Sequence, residues 1–250
     1  RYKISFRINL IMKNVLIIGC SHSRGSYYFD ELVGKEQIDR SGIGGWWAFI
    51  TFLKDYKKTV YANGGAGWIW YAEILNQILQ KGDLLNYDMC IIQETYEPRL
   101  HITKNTQSEI YNFKNCNTIL YDNCVSTHSA FSNHPANNDD IIKNHYPNSK
   151  LCSDYLRQVN FSPTYNNLVS SSKVMVSELM NFYKIPTYIW QMHHPVEPLP
   201  YYNTNFIDLG LVDMYSKLLN FTATDELGSH LTVSGNIELG RQINKSLMKV

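Results

Sequence analysis

Residues 14–27, NVLIIGCSHSRGSY, end an apolar run in a cluster of hydroxyls, a thiol, an imidazole and a guanidinium. Val15, Leu16, Ile17 and Ile18 are apolar without alternation, the pattern of a central strand in a parallel sheet covered on both faces. Gly19 closes the run. Ligands of open α/β sheets bind beyond the carboxyl ends of the strands, so Cys20, Ser21, His22, Ser23 and Arg24 fall where chemistry is expected. These residue types suit nucleophilic catalysis. A serine hydroxyl is a poor nucleophile at neutral pH and needs a base within hydrogen-bond reach, a task for an imidazole with a pKa of about 6.5.

Gly19-Cys20-Ser21 after a first apolar strand, with Gly25 four residues past the serine, resembles the opening block of the SGNH (GDSL-type) hydrolases. That family's usual form is G-D-S, and Cys20 stands in the place of the aspartate. The family's other distinguishing block is a C-terminal D-x-x-H ahead of the last helix; residues 225–235 read DELGSHLTVSG. The two blocks fit in order and separation and bracket nearly the whole chain. Strands alternate with helices throughout, which points to a three-layer α/β/α sandwich with a parallel sheet of four or five strands. The resemblance implies the flavodoxin-like form of that architecture and the hydrolysis of an ester, with neither cofactor nor metal.

The resemblance also distributes the roles. Ser21 is the nucleophile and His230 its base. The acceptor that fixes the histidine tautomer and favours its imidazolium lies three residues earlier in the family, where this chain has Leu227. Asp225 or Glu226 must therefore come round on a longer loop, Asp225 being preferred, or a main-chain carbonyl must orient the ring. The Ser21 and Gly65 backbone N–H groups would hold the oxyanion, Gly65 being the glycine of the family's second block. The family's G-x-N-D block is not present after the third strand, which leaves Gln93 or Thr95 to supply a side-chain donor. Glu97, near the place of the asparagine, carries an acceptor carboxylate while ionised. Ser23 is the rival nucleophile, placed to cap or line the site, and Cys20 should point back into the sheet. His22, Gly67, Thr95, His193 and His194 fall on loops at the same strand ends and would line the substrate subsite.

These residues need a scaffold, and the chain supplies one in alternating pieces. Strands are expected at 59–62, 88–93 and 187–191. Helices are expected at 27–38, 46–55, 68–80, 166–183, 211–219 and 232–248, the last with Ile237, Leu239, Ile243 and Leu247 on one stripe and Thr232 or Ser234 near its cap. Asn63-Gly64-Gly65-Ala66-Gly67 is a loop whose glycines let the backbone approach a ligand closely. Residues 101–165 are polar and read as an insertion over the active-site face or a lid. His128, His134 and His145 in it lack the spacing of metal ligands.

Composition narrows the alternatives. At 250 residues with 44% hydrophobic content, the chain can bury one substantial core, and residues 12–250 are expected to form one domain. Residues 1–11 read as an upstream extension ahead of Met12, and no signal sequence is expected, since cleavage after the first apolar run would remove Ser21. A cytoplasmic location is the default. The net charge of +1 and the lack of a basic run argue against nucleic acid, and no apolar segment reaches the roughly twenty residues that span a bilayer. Five cysteines without a C-x-x-C pair fit neither a disulfide framework nor zinc.

The expected substrate is a small or glycan ester carrying a short acyl group such as acetyl; the sugar is suggested by aromatic and polar residues near the proposed mouth. Two rivals keep the fold: a catalytically inactive glycan-binding or structural relative, and an acyltransferase using the same serine. A nucleotide-binding domain fits less well, because neither glycine loop matches G-x-G-x-x-G or a P-loop.

Overall fold

The computed structural model describes residues 12–24, 45–62, 66–94, 109–113, 118–122, 163–191, 206–211, 231 and 233–250. They form an α/β fold on one seven-stranded sheet. The strands are β1 (Lys13–Gly19), β2 (Tyr56–Ala62), β3 (Met89–Glu94), β4 (Glu109–Phe113), β5 (Thr118–Asp122), β6 (Thr187–Gln191) and β7 (Ile207–Leu211). The helices are α1 (Ser21–Arg24), α2 (Trp68–Gln80), α3 (Pro163–Phe182) and α4 (Val233–Leu247).

Sheet order is β4-β5-β2-β1-β3-β6-β7. All neighbours are parallel except β4 and β5, which pair antiparallel. Five strands, β2-β1-β3-β6-β7, match the upper expected number, but β5 runs parallel as well, so six strands are parallel where four or five were expected. The two additional strands, β4 and β5, come from the 101–165 segment, so part of that segment widens the sheet beside β2. This corrects the picture of an insertion lying wholly over the active-site face.

The alternating side chains of β1 divide the core. Val15 and Ile17 join Trp46, Trp47, Val60, Ile91 and Trp190 with Leu239, Ile243 and Leu247 of α4. Leu16, Ile18 and Cys20 join Cys90 and Ile92 with Trp68, Tyr71 and Leu75 of α2 and Val169, Val176 and Met180 of α3. A strand buried on both faces has no polar positions to spare, which explains its unbroken apolar run. Cys20 and Cys90 are free and buried within this apolar surface.

Three local devices fix the elements. The Asn14 backbone N–H donates to Asp88 Oδ2 at 2.7 Å and the Asp88 N–H returns to the Asn14 carbonyl at 2.9 Å, tying the start of β1 to that of β3. After α2, Gly82 takes φ +76°, and its N–H and that of Asp83 satisfy the Leu79 and Ile78 carbonyls, a Schellman ending. Helix α3 ends the same way, but its left-handed position is Lys184 at φ 55°, with Lys184 N–H on Asn181 and Ile185 N–H on Met180.

Two expected helices differ. Residues 46–55 give two 3-10 turns, Trp46–Phe49 and Thr51–Leu53. Ile50 between them is extended at φ −85° and ψ 104°, and α4 packs so close at Gly240 that a Cβ there would lie 2.5 Å from the Trp46 carbonyl oxygen. Leu211, expected to open a helix, instead ends β7; residues 212–219 lie outside the described residues, as do 1–11 and the expected helix at 27–38. Among the described residues, no helix is long and apolar enough to cross a membrane.

Candidate functional site

Strand order reverses at β1: the next strand in the chain, β2, lies on one side, and β3 lies on the other. A crevice outside the carboxyl ends of the strands at such a switch point is where open α/β sheets take ligands. Gly19 ends β1 there, Ser21 opens the single turn α1, and Gln93 and Glu94 end β3.

Ser23 and Gln93 join the two strand ends. Both are fully buried. Ser23 Oγ donates to Gln93 Oε1 at 2.5 Å and accepts from the Trp46 ring N–H at 3.0 Å. The same Gln93 oxygen accepts the Cys20 backbone N–H at 3.3 Å, while Gln93 Nε2 donates to Cys20 Sγ at 3.0 Å. The Ser23 N–H closes a turn onto the Cys20 carbonyl at 2.9 Å, and the Ser23 carbonyl accepts the Trp47 ring N–H at 2.8 Å. Buried polar groups are costly unless paired, and here hydroxyl, amide and indole groups satisfy one another. A Cβ on Gly19 would overlap the Ser23 side chain and stand 2.8 Å from Gln93 Oε1; only glycine admits this approach.

Around that centre, Tyr71 of α2 donates its phenol to the Gln93 carbonyl at 2.9 Å. Lys173 of α3 reaches Glu94 at 2.7 Å and lies 5.2 Å from the centre of the Trp68 ring. His22 is buried. Gly67 stands at the N-cap of α2 in extended conformation, its carbonyl accepting the Tyr71 N–H at 3.0 Å.

The expected site residues divide accordingly. The backbone of Ser21, and His22, Gly67 and Gln93, gather around the carboxyl ends of the strands. The Ser21 side chain, and Gly65, Thr95, His193, His194, Asp225, Glu226 and His230, lie outside what the structure describes. Leu231, which follows His230 in sequence, is buried in the core cluster that holds Val15, Ile17 and Trp46, with its carbonyl accepting from Asn236 Nδ2 at 3.2 Å. Ser23, the rival nucleophile, has its hydroxyl committed to Gln93 and Trp46 and is a structural member of the turn. Trp46, Trp47 and Tyr71 were missed as polar partners. Their sequence signal is slight, since an indole or phenol in an apolar run reads as core, and only the need of a buried ring N–H or O–H for an acceptor hints otherwise.

Compared with protein-family models the chain matches none, and a comparison with curated proteins finds no match.

Proposed function

We propose that the chain is a serine ester hydrolase of the SGNH type, built as a three-layer α/β/α sandwich of flavodoxin-like order. The architecture is supported by the central order β2-β1-β3-β6-β7 and by the division of the core between α2 with α3 and α4. One observation carries the catalytic reading. Leu231, next in sequence to the proposed base His230, shares a core cluster with Trp46, and Trp46 holds the side chain of Ser23, two residues after the proposed nucleophile Ser21. Segments next to both proposed catalytic residues thus meet the core on the same face of the sheet, which supports the pairing of Ser21 with His230.

In this reading Ser21 Oγ attacks the ester carbonyl as His230 takes its proton, and Asp225 accepts from the other ring nitrogen. The Ser21 and Gly65 backbone N–H groups stabilise the oxyanion, each such donor being worth about a hundred- to a thousandfold in rate. The alcohol leaves with the proton from His230, and water, activated by the same imidazole, releases the acid. The proposed substrate is a short acyl ester, acetyl on a carbohydrate being the favoured case.

Turnover of p-nitrophenyl acetate by wild type, Ser21→Ala and His230→Ala tests the reading. Loss in both variants is expected; equal rates in all three remove it. Product analysis with sugar acceptors separates hydrolysis from acyl transfer.

A further inference from the structure

We infer that Gln93 is a positioning residue whose side-chain amide clamps both flanks of the dipeptide Ser21–His22. This rests on the ester-hydrolase reading for its catalytic meaning but not for its geometry. The amide oxygen holds the Cys20 N–H and the Ser23 hydroxyl, and the amide nitrogen holds Cys20 Sγ. Cys20 and Ser23 are the residues immediately before and after that dipeptide. A carboxamide is the one neutral side-chain group that offers an oxygen accepting two donors beside a nitrogen that donates.

Each end of the clamp is itself anchored. Gln93 sits in β3 opposite Trp190 of β6, with its carbonyl taken by Tyr71. Ser23 is fixed by Trp46 at its hydroxyl and Trp47 at its carbonyl. Gly45, ahead of those tryptophans, has no room for a Cβ, which would meet the Ser23 carbonyl oxygen and the Trp47 ring nitrogen at 2.9 Å each. The turn is therefore gripped from β3 on one side and from the Trp46–Phe49 turn on the other. With Gln93 fully buried and its Nε2 directed at Cys20 Sγ, the amide works on the turn that carries the oxyanion donor. Catalytic groups must be held to within about 0.5 Å of productive geometry, which gives the clamp its use.

The test measures two things in wild type, Gln93→Met, Ser23→Ala and the double variant: amide hydrogen exchange residue by residue, and the rate of fluorophosphonate labelling at Ser21. The clamp predicts exchange about tenfold faster at the Cys20 and Ser23 amides in each single variant, with amides of α2 and α4 unchanged. It predicts labelling slowed by roughly a hundredfold, the scale of a misplacement near 1 Å, and a double variant no worse than either single, since both break one unit. If Gln93→Met does not fold, Ser23→Ala carries the comparison. Unchanged exchange at Cys20 and Ser23 overturns the clamp, as does faster exchange spread over α2 and α4. Labelling lost in Gln93→Met but normal in Ser23→Ala also overturns it, marking Gln93 as a direct donor. A wild type that resists labelling while Cys20 and Ser23 respond keeps the clamp and removes the ester-hydrolase reading.

Discussion

Lys173 Nζ on α3 lies 2.7 Å from Glu94 Oε1 at the end of β3, and the two side chains are only 7% and 12% exposed. The pair bolts a covering helix to the edge of the proposed site. Breaking a buried ion pair by removing one partner costs about 3–5 kcal/mol. Lys173→Met and Glu94→Leu should each lower stability on that scale in urea denaturation. The double variant should recover most of the loss, because an apolar pair of similar volume leaves no buried charge.

Gly19 and Gly240 both sit at close approaches of the backbone to neighbouring groups. A Cβ at Gly19 would lie 2.5 Å from Ser23 Cβ, and one at Gly240 2.5 Å from the Trp46 carbonyl oxygen. Overpacking of this kind costs about 1–3 kcal/mol or more. Gly240→Ala should lower the thermal midpoint, and Gly19→Ala should do so while also moving Ser23 away from Gln93, visible as faster exchange at the Ser23 amide.

Lys184 occupies the left-handed position after α3, which costs a residue bearing a Cβ about 1–2 kcal/mol relative to the right-handed region. Glycine carries no such penalty. Lys184→Gly should therefore raise stability by about 1 kcal/mol in denaturant titration, whereas Lys184→Val should lower it.

Burial pushes the Cys90 thiol far above its ordinary pKa. The folded state keeps that proton where the unfolded chain loses it, near pH 8.5 by the ordinary thiol value. Above that point the unfolded state binds fewer protons than the native one, so stability falls as pH rises; below it the contribution is fully present. Wild type should show a steeper alkaline loss of stability than Cys90→Ala, and Cys90 should resist iodoacetamide until the protein unfolds.

The sequence spoke most clearly where one physical signal acted alone. Strand β6 and helix α2 fall at their expected bounds, 187–191 and 68–80, because a short apolar strand between Pro186 and polar residues, and an amphipathic stretch after glycines, have few alternatives. Residues 46–55 read equally well as a helix until Trp46 and Trp47 must turn their ring N–H groups onto Ser23, a tertiary demand that no local pattern carries. Strand β7 contains Gly210 at φ +88° beside an irregular register with β6, which blurs the strand signal. At the carboxyl end of β1, the turn after Gly19 was legible from the abrupt end of an apolar run. The Gln93 clamp was not, since it depends on two segments 70 residues apart coming within bonding distance.

The β4–β5 hairpin has a consequence for shortening the chain. Strand β5 pairs with β2 along Lys58–Tyr61, so excising the hairpin would bare the main-chain donors and acceptors of β2. An open strand of that kind templates pairing with another molecule. A trimmed variant that kept every proposed catalytic residue would make β2, buried at Lys58, Thr59 and Val60, the edge of the sheet in place of β4, and should self-associate more than the full chain.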